Sequence, residues 1–198
     1  MKKLAIYSFT ILSTIFFSCE PTFTPKPVGF NEIQLPPHNY EEWDDGIKPY
    51  SFEKNKVAEV SDYITPGISK EDHYVVVDYP TLGGKCYLTY KPIGKNIDTL
   101  NSLIMNSYRL ADGHNVKASG IDSKVISVAK DHYAVSILLQ GEVSSQYQFY
   151  LHDSTNHFVR AALYFETATK NDSLAPVIDY VKEDMNHIIK TIEWRDEK

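Results

Sequence analysis

Cysteine is nearly absent from this 198-residue chain, which holds only Cys19 and Cys86. Two thiols cannot make a disulfide framework, so an apolar core must hold the fold. Positive charge is also short: 20 Lys and Arg face 26 Asp and Glu, for a net charge of −6. That balance excludes a bulk electrostatic grip on nucleic acid or anionic lipid. There is no Gly-rich phosphate loop, nucleophile elbow or helical His-Glu-x-x-His, and the seven histidines are scattered. No catalytic residue, metal or cofactor is assigned. What is present, 42% hydrophobic and 23% charged residues, suits one globular domain with an extension.

The extension comes first. Lys2 and Lys3 precede Leu4–Phe17, an uncharged and mostly apolar run of 14 residues that reads as an export signal. As a helix it spans only about 21 Å, short of the roughly 30 Å hydrocarbon core. Ser18-Cys19 closes the run as a bacterial lipobox does, which makes Cys19 the expected lipidated residue and first mature position. Multiple acylation there anchors the chain to a membrane, because each buried CH₂ is worth about 0.8 kcal/mol. Loss of Lys2 and Lys3 with the leader takes the net charge from −6 to −8. Six of the ten prolines lie between residues 20 and 50, so this stretch is expected to be an extended tether.

The body reads as α+β, a mostly antiparallel sheet with two helices packed on it. His73–Tyr79 and Lys85–Tyr90 form a hairpin around Gly83-Gly84, with Cys86, Leu88 and Tyr90 on one strand face. An apolar stripe predicts a helix over Ile97–Asp112, with Gly113 at its C-terminal cap. Ile121–Ala129 with His132–Gln140, and Gln146–His152 with His157–Thr167, supply further hairpins. A last helix runs from about Ser173, its candidate cap, to Trp194, with Pro176 in the first turn and Val177, Val181, Met185, Ile188 and Ile192 facing inward. The expected divisions are a signal peptide at 1–18, lipidated Cys19 and tether at 19–50, and a single domain at 51–198.

Four residues stand out as candidates for partner binding. Trp43 sits inside the acidic cluster Glu41-Glu42-Trp43-Asp44-Asp45, which otherwise reads as a solvated turn with the indole folded onto the domain. Joining the last hairpin by four residues, Asp153–Asn156, puts Phe149 opposite Arg160, with Tyr164 flanking. A guanidinium among rings is a cation–π arrangement worth about 0.5–2 kcal/mol. It can meet an anionic ligand or simply lock the sheet face. The same register sets His152 against His157 beside Asp153, a permissive metal pattern that ordinary turn polarity explains as well. Glu183 and Asp184 point about 100° apart on the last helix and read as a solvated face. Fourteen tyrosines suit both strands and docking surfaces.

Several blocks together resemble the gliding motility lipoprotein GldD family of Bacteroidetes. They are Pro25-Lys26-Pro27-Val28-Gly29-Phe30 with Leu35-Pro36, Pro49-Tyr50-Ser51-Phe52, the long block from Phe149 to Phe165, Asp172-Ser173-Leu174-Ala175-Pro176-Val177-Ile178, and Thr191-Ile192-Glu193-Trp194. Some members of that family carry cysteines near positions 47 and 73, where this chain has Ile47 and His73. The resemblance implies a lipid-anchored envelope protein needed for gliding, linked to type IX secretion, with other gliding-machinery proteins as partners and no catalytic residues. It also implies a fold similar to PsbP/Mog1-like sandwiches. Only Glu20 is acidic just after Cys19, which favours a periplasm-facing domain. Two other readings stay open: a periplasmic ligand-binding lipoprotein converging on Arg160, and a metal-dependent hydrolase at His152, Asp153 and His157.

Overall fold

The computed structural model describes residues 34–64, 67, 73–114, 116–128, 132–165 and 171–195. The signal peptide, Cys19, the first part of the tether, the Lys130-Asp131 turn and the Ser173 side chain lie outside the described residues. The strands are β1 (Tyr40–Trp43), β2 (Tyr50–Asn55), β3 (Glu59–Asp62), β4 (Val75–Tyr79) and β5 (Gly84–Pro92). After α1 (Ile97–Asp112) come β6 (Ala118–Ile126), β7 (Tyr133–Gly141), β8 (Tyr147–His152) and β9 (His157–Phe165). The chain then forms α2 (Asn171–Thr191) and β10 (Glu193–Trp194).

Strand alternation dictates the layering. On β5, Cys86, Leu88 and Tyr90 are buried, while Lys85, Tyr87 and Thr89 between them are half-buried. Seven strands pair antiparallel in the order β3-β4-β5-β9-β8-β7-β6. One face of this sheet carries Val75, Val77, Cys86, Leu88, Phe149, Leu151, Ala161 and Leu163, all buried. Against it lie α2 and a three-stranded sheet ordered β1-β2-β10. Val177, Val181, Met185, Ile188 and Ile192 point into that core as their helical spacing predicts. Each such side chain stabilises the fold by about 1.5–3 kcal/mol when fully buried.

Among the described residues the opposite face is covered by α1. Asn96 caps this helix, its side-chain oxygen accepting from the backbone N–H of Asp98 at 2.9 Å and of Thr99 at 3.2 Å. At the other end Gly113 keeps a right-handed φ of −56°, so the left-handed cap that glycine often supplies is not used. Leu100, Leu103 and Ile104 meet Ile93, Tyr150, Phe158 and Val135 beneath the helix, and Ala111 meets Ile137, Leu139 and Val143.

Three expectations are corrected. The folded domain begins well before residue 51, because β1 pairs with β2 and His38, Tyr40 and Trp43 pack onto the body. The last helix ends at Thr191, and Glu193–Trp194 cross to Tyr50-Ser51 as a strand. Asp184 is not on a solvated face: it is 1% exposed, whereas neighbouring Glu183 is open to water. The Asp184 carboxylate accepts from Asn55 Nδ2 at 3.0 and 3.2 Å, from the Tyr40 hydroxyl at 2.9 Å and from His38 Nδ1 at 2.7 Å. These bonds clasp the start of the domain to α2, which compensates the carboxylate for its lost water.

Candidate functional site

The hairpin turn sets the geometry of the site. Asp153 Oδ1 accepts from the backbone N–H groups of Thr155 at 2.9 Å, Asn156 at 2.8 Å and His157 at 2.9 Å. Burial alone would raise the Asp153 pKa, but these donors together hold it below the usual carboxylate value. The turn they wrap places His152 opposite Phe158 rather than opposite His157. Phe149 therefore faces Ala161, and Arg160 faces Tyr150 on β8 and Thr89 on β5. This one-residue difference from the expected register sends Phe149 and Arg160 to opposite faces of the sheet.

The consequences for the candidate residues are direct. Phe149 is 1% exposed in the α2-side core, where it cannot meet a partner. Trp43 is half-buried on the small sheet, its ring 4.9 Å from that of Phe52. Most of the acidic cluster around it is tied inward: Glu41 to Lys54 at 2.6 Å, Asp44 to Arg195, and Asp45 to Lys48 at 3.2 Å. His152 and His157 do not converge. His157 reaches Tyr90 at 2.9 Å and stacks on Trp194, whereas His152 stacks between Tyr133 and Phe158 under α1. Among the described residues no group of three His, Cys, Asp or Glu could hold a metal ion.

Arg160 and Tyr164 do come together. They lie on the half of the sheet that α1 leaves bare, with Ala162 between them. Across the β5 pairing, Thr89 stands beside Arg160, Tyr87 beside Ala162 and Lys85 beside Tyr164. The small Ala162 side chain leaves a hollow of about 570 Å³ between rings, which Tyr63 closes from the β3 side. Tyr87 meets Tyr63 and Tyr164 edge-on, at 5.0 and 5.8 Å between centroids.

Arg160 is unusual for its burial. Its guanidinium donates to Gln148 Oε1, and no carboxylate pairs with it among the described residues. Gln148 is 1% exposed, and its Nε2 has no partner, so the amide is oriented to hold the arginine. Burial lowers the Arg160 pKa, with the charge of Tyr164 opposing. The same cation helps to lower the pKa of His114 near the end of α1, after burial as the larger cause. A half-buried cation without a counter-ion favours an anionic group brought from outside.

Larger hollows are less suited to binding. One of about 830 Å³ lies between α2 and β6, but there His187 bonds Glu53, Asn186 accepts from Tyr147, and Lys182 bonds Asp179. Another, of about 850 Å³, is an apolar groove beside Met105 and Tyr108 on α1. Sequence reasoning found Arg160 and Tyr164 but missed Tyr63, Tyr87, Lys85 and Gln148. The signal for two of these was available: with Cys86, Leu88 and Tyr90 facing the core, Lys85 and Tyr87 had to face the other way.

Comparison with known proteins supplies a family. No curated protein matches the chain. The solution structure of cyanobacterial PsbP from Synechocystis sp. PCC 6803 is similar at 13% identity and a TM-score of 0.40, over 85% of this chain and 99% of that one. No helix among the described residues is long and apolar enough to cross a membrane. The sequence profile described as gliding motility lipoprotein GldD matches residues 20–194, and the chain belongs to that family.

Proposed function

We propose that this chain is a lipid-anchored, non-catalytic component or assembly factor of the gliding and type IX secretion machinery. Cys19 carries the lipid, the Pro-rich segment after it gives reach, and the domain faces the periplasm. The family match supports the anchoring, since the family is described as one of lipoproteins. The observation that carries the docking role is the bare half of the sheet, where Arg160, Tyr87 and Tyr164 stand half-buried and open to a partner. Tyrosine and arginine are the side chains that dominate protein contacts.

A second reading, a periplasmic ligand-binding lipoprotein, draws on the same hollow. Small-ligand sites bury about 70–90% of their ligand. This hollow is a shelf widely open to solvent, which favours a macromolecule that brings its own cover.

Anchoring is tested by Cys19→Ala, read by membrane fractionation and a gliding assay. The variant is expected to be soluble, folded and unable to support gliding. A soluble Cys19→Ala protein that still supports gliding refutes the anchoring role.

A further inference from the structure

Among the described residues Arg160 meets Gln148 but no carboxylate. Its guanidinium is held by Gln148, whose own burial leaves little room to move, and the side chain lines the hollow with Tyr87, Tyr164 and Thr89. A planar, prepositioned guanidinium matches a carboxylate in a two-point contact. Flanking rings supply flat apolar walls for the atoms on either side of that carboxylate.

Charge sorting on this face points the same way. The chain as a whole is acidic, yet Arg160, Lys85 and Lys91 all lie on this face. The described acids of its strands, Asp78 and Glu59, share the row of Lys85, and Asp78 stands 3.6 Å from that lysine. That row is four residues along the strand from Arg160, roughly 13 Å at about 3.3 Å per residue. Among the described residues Arg160 itself has no carboxylate partner, so its guanidinium is a local centre of positive charge on an acidic chain. Complementarity across an interface selects a partner of the opposite sign. The open side argues for a protein segment, because a small anion there would stay in contact with water.

We propose that the Arg160 shelf receives a carboxylate side chain from an acidic, aromatic- or aliphatic-flanked segment of a partner protein. The proposal rests on the docking reading and adds the chemistry of what docks.

A photocrosslinker separates the two. p-Benzoylphenylalanine is placed at Tyr63 in the full-length chain in gliding cells, and the crosslinked peptide is sequenced by mass spectrometry. The expected adduct is a peptide with Asp or Glu within a few residues of the link. Arg160→Gln is expected to lower its yield about tenfold or more, as loss of a central arginine anchor does. Because Arg160 also holds Gln148, a second variant leaves it in place: Thr89→Glu plants a carboxylate directly opposite the guanidinium. This internal competitor should lower the yield as well, and melting curves of both full-length variants show that they fold. Reversing the partner's acid to Lys should restore the adduct to Arg160→Glu. Adducts that survive both Arg160→Gln and Thr89→Glu, or that lack acidic residues, overturn acidic recognition and leave docking standing. Adducts to glycan or lipid overturn the protein partner. No adduct from Tyr63, with both variants gliding normally, overturns acidic recognition and docking together.

Discussion

The large sheet has one face that is sealed and one that is half open, and the same strands build both. On the sealed side, Leu88, Leu151, Val159 and Leu163 are fully buried beneath α2, and Asp184 bonds the rim shut. On the other, α1 covers β7–β8–β9 at one end and stops short of Tyr87 and Arg160. Adjacent residues of one strand thus do different work. Those on the sealed face carry stability, whereas those on the open face are free to carry recognition. That division leaves a half-buried arginine with no carboxylate among the described residues, held instead by Gln148.

Neighbouring substitutions on β5 test the contrast most strongly. Leu88→Ala should cost about 3 kcal/mol, within the usual 2–5 kcal/mol for truncating a fully buried leucine. Tyr87→Ala, one residue away on the open face, should cost no more than about 1.5 kcal/mol and yet impair gliding. Denaturant melts paired with gliding assays read both. Equal stability losses would break the comparison.

The rim comes next in size. Asp184→Ala leaves Asn55, Tyr40 and His38 without their shared acceptor and should cost about 2–3 kcal/mol. Hydrogen exchange should accelerate at the β1 amides of Tyr40–Trp43, because the clasp holding that strand to α2 is gone. Unchanged protection there would mean that the β1–β2 pairing suffices.

The smallest effect expected is on pH dependence, beneath α1. Burial holds the His152 imidazole below its ordinary value of 6.5, against a weaker pull from Asp153. The Ser154 N–H donates to His152 Nδ1 at 3.1 Å, which also requires the unprotonated ring. As pH falls below about 6.5, the unfolded chain takes up a proton that the folded chain refuses, so stability is lost toward the lowered folded pKa. His152→Gln keeps an acceptor but does not titrate, so it should flatten the melting temperature between about pH 7 and pH 5. His114, displaced in the same direction, leaves a residual slope. A His152→Gln profile as steep as that of the parent would place the pH sensitivity elsewhere.

The α+β class, the α1 helix and the core face of β5 could be read from residues, because periods of 3.6 and 2 are local properties of the chain. Cys86, Leu88 and Tyr90 declare their side of the sheet in five residues. The shelf was legible only in part. Arg160 and Tyr164 were visible as a cation near a ring, but their face turned on the three backbone donors that Asp153 gathers. Composition marks Asp153 as a turn residue and does not count the residues the turn will take.

Long-range closure escaped local pattern altogether. Tyr40 and Asp184 are 144 positions apart, and nothing near either residue announces that they will bond. The same holds for Trp194 pairing with Tyr50 and for Lys85 and Tyr87 lying beside Tyr164 and Ala162. Side-chain order along the chain sets which surfaces are apolar and which are polar. Which of those surfaces meet, and which is left bare, depends on strand register and helix length, and these are settled only when distant segments pack.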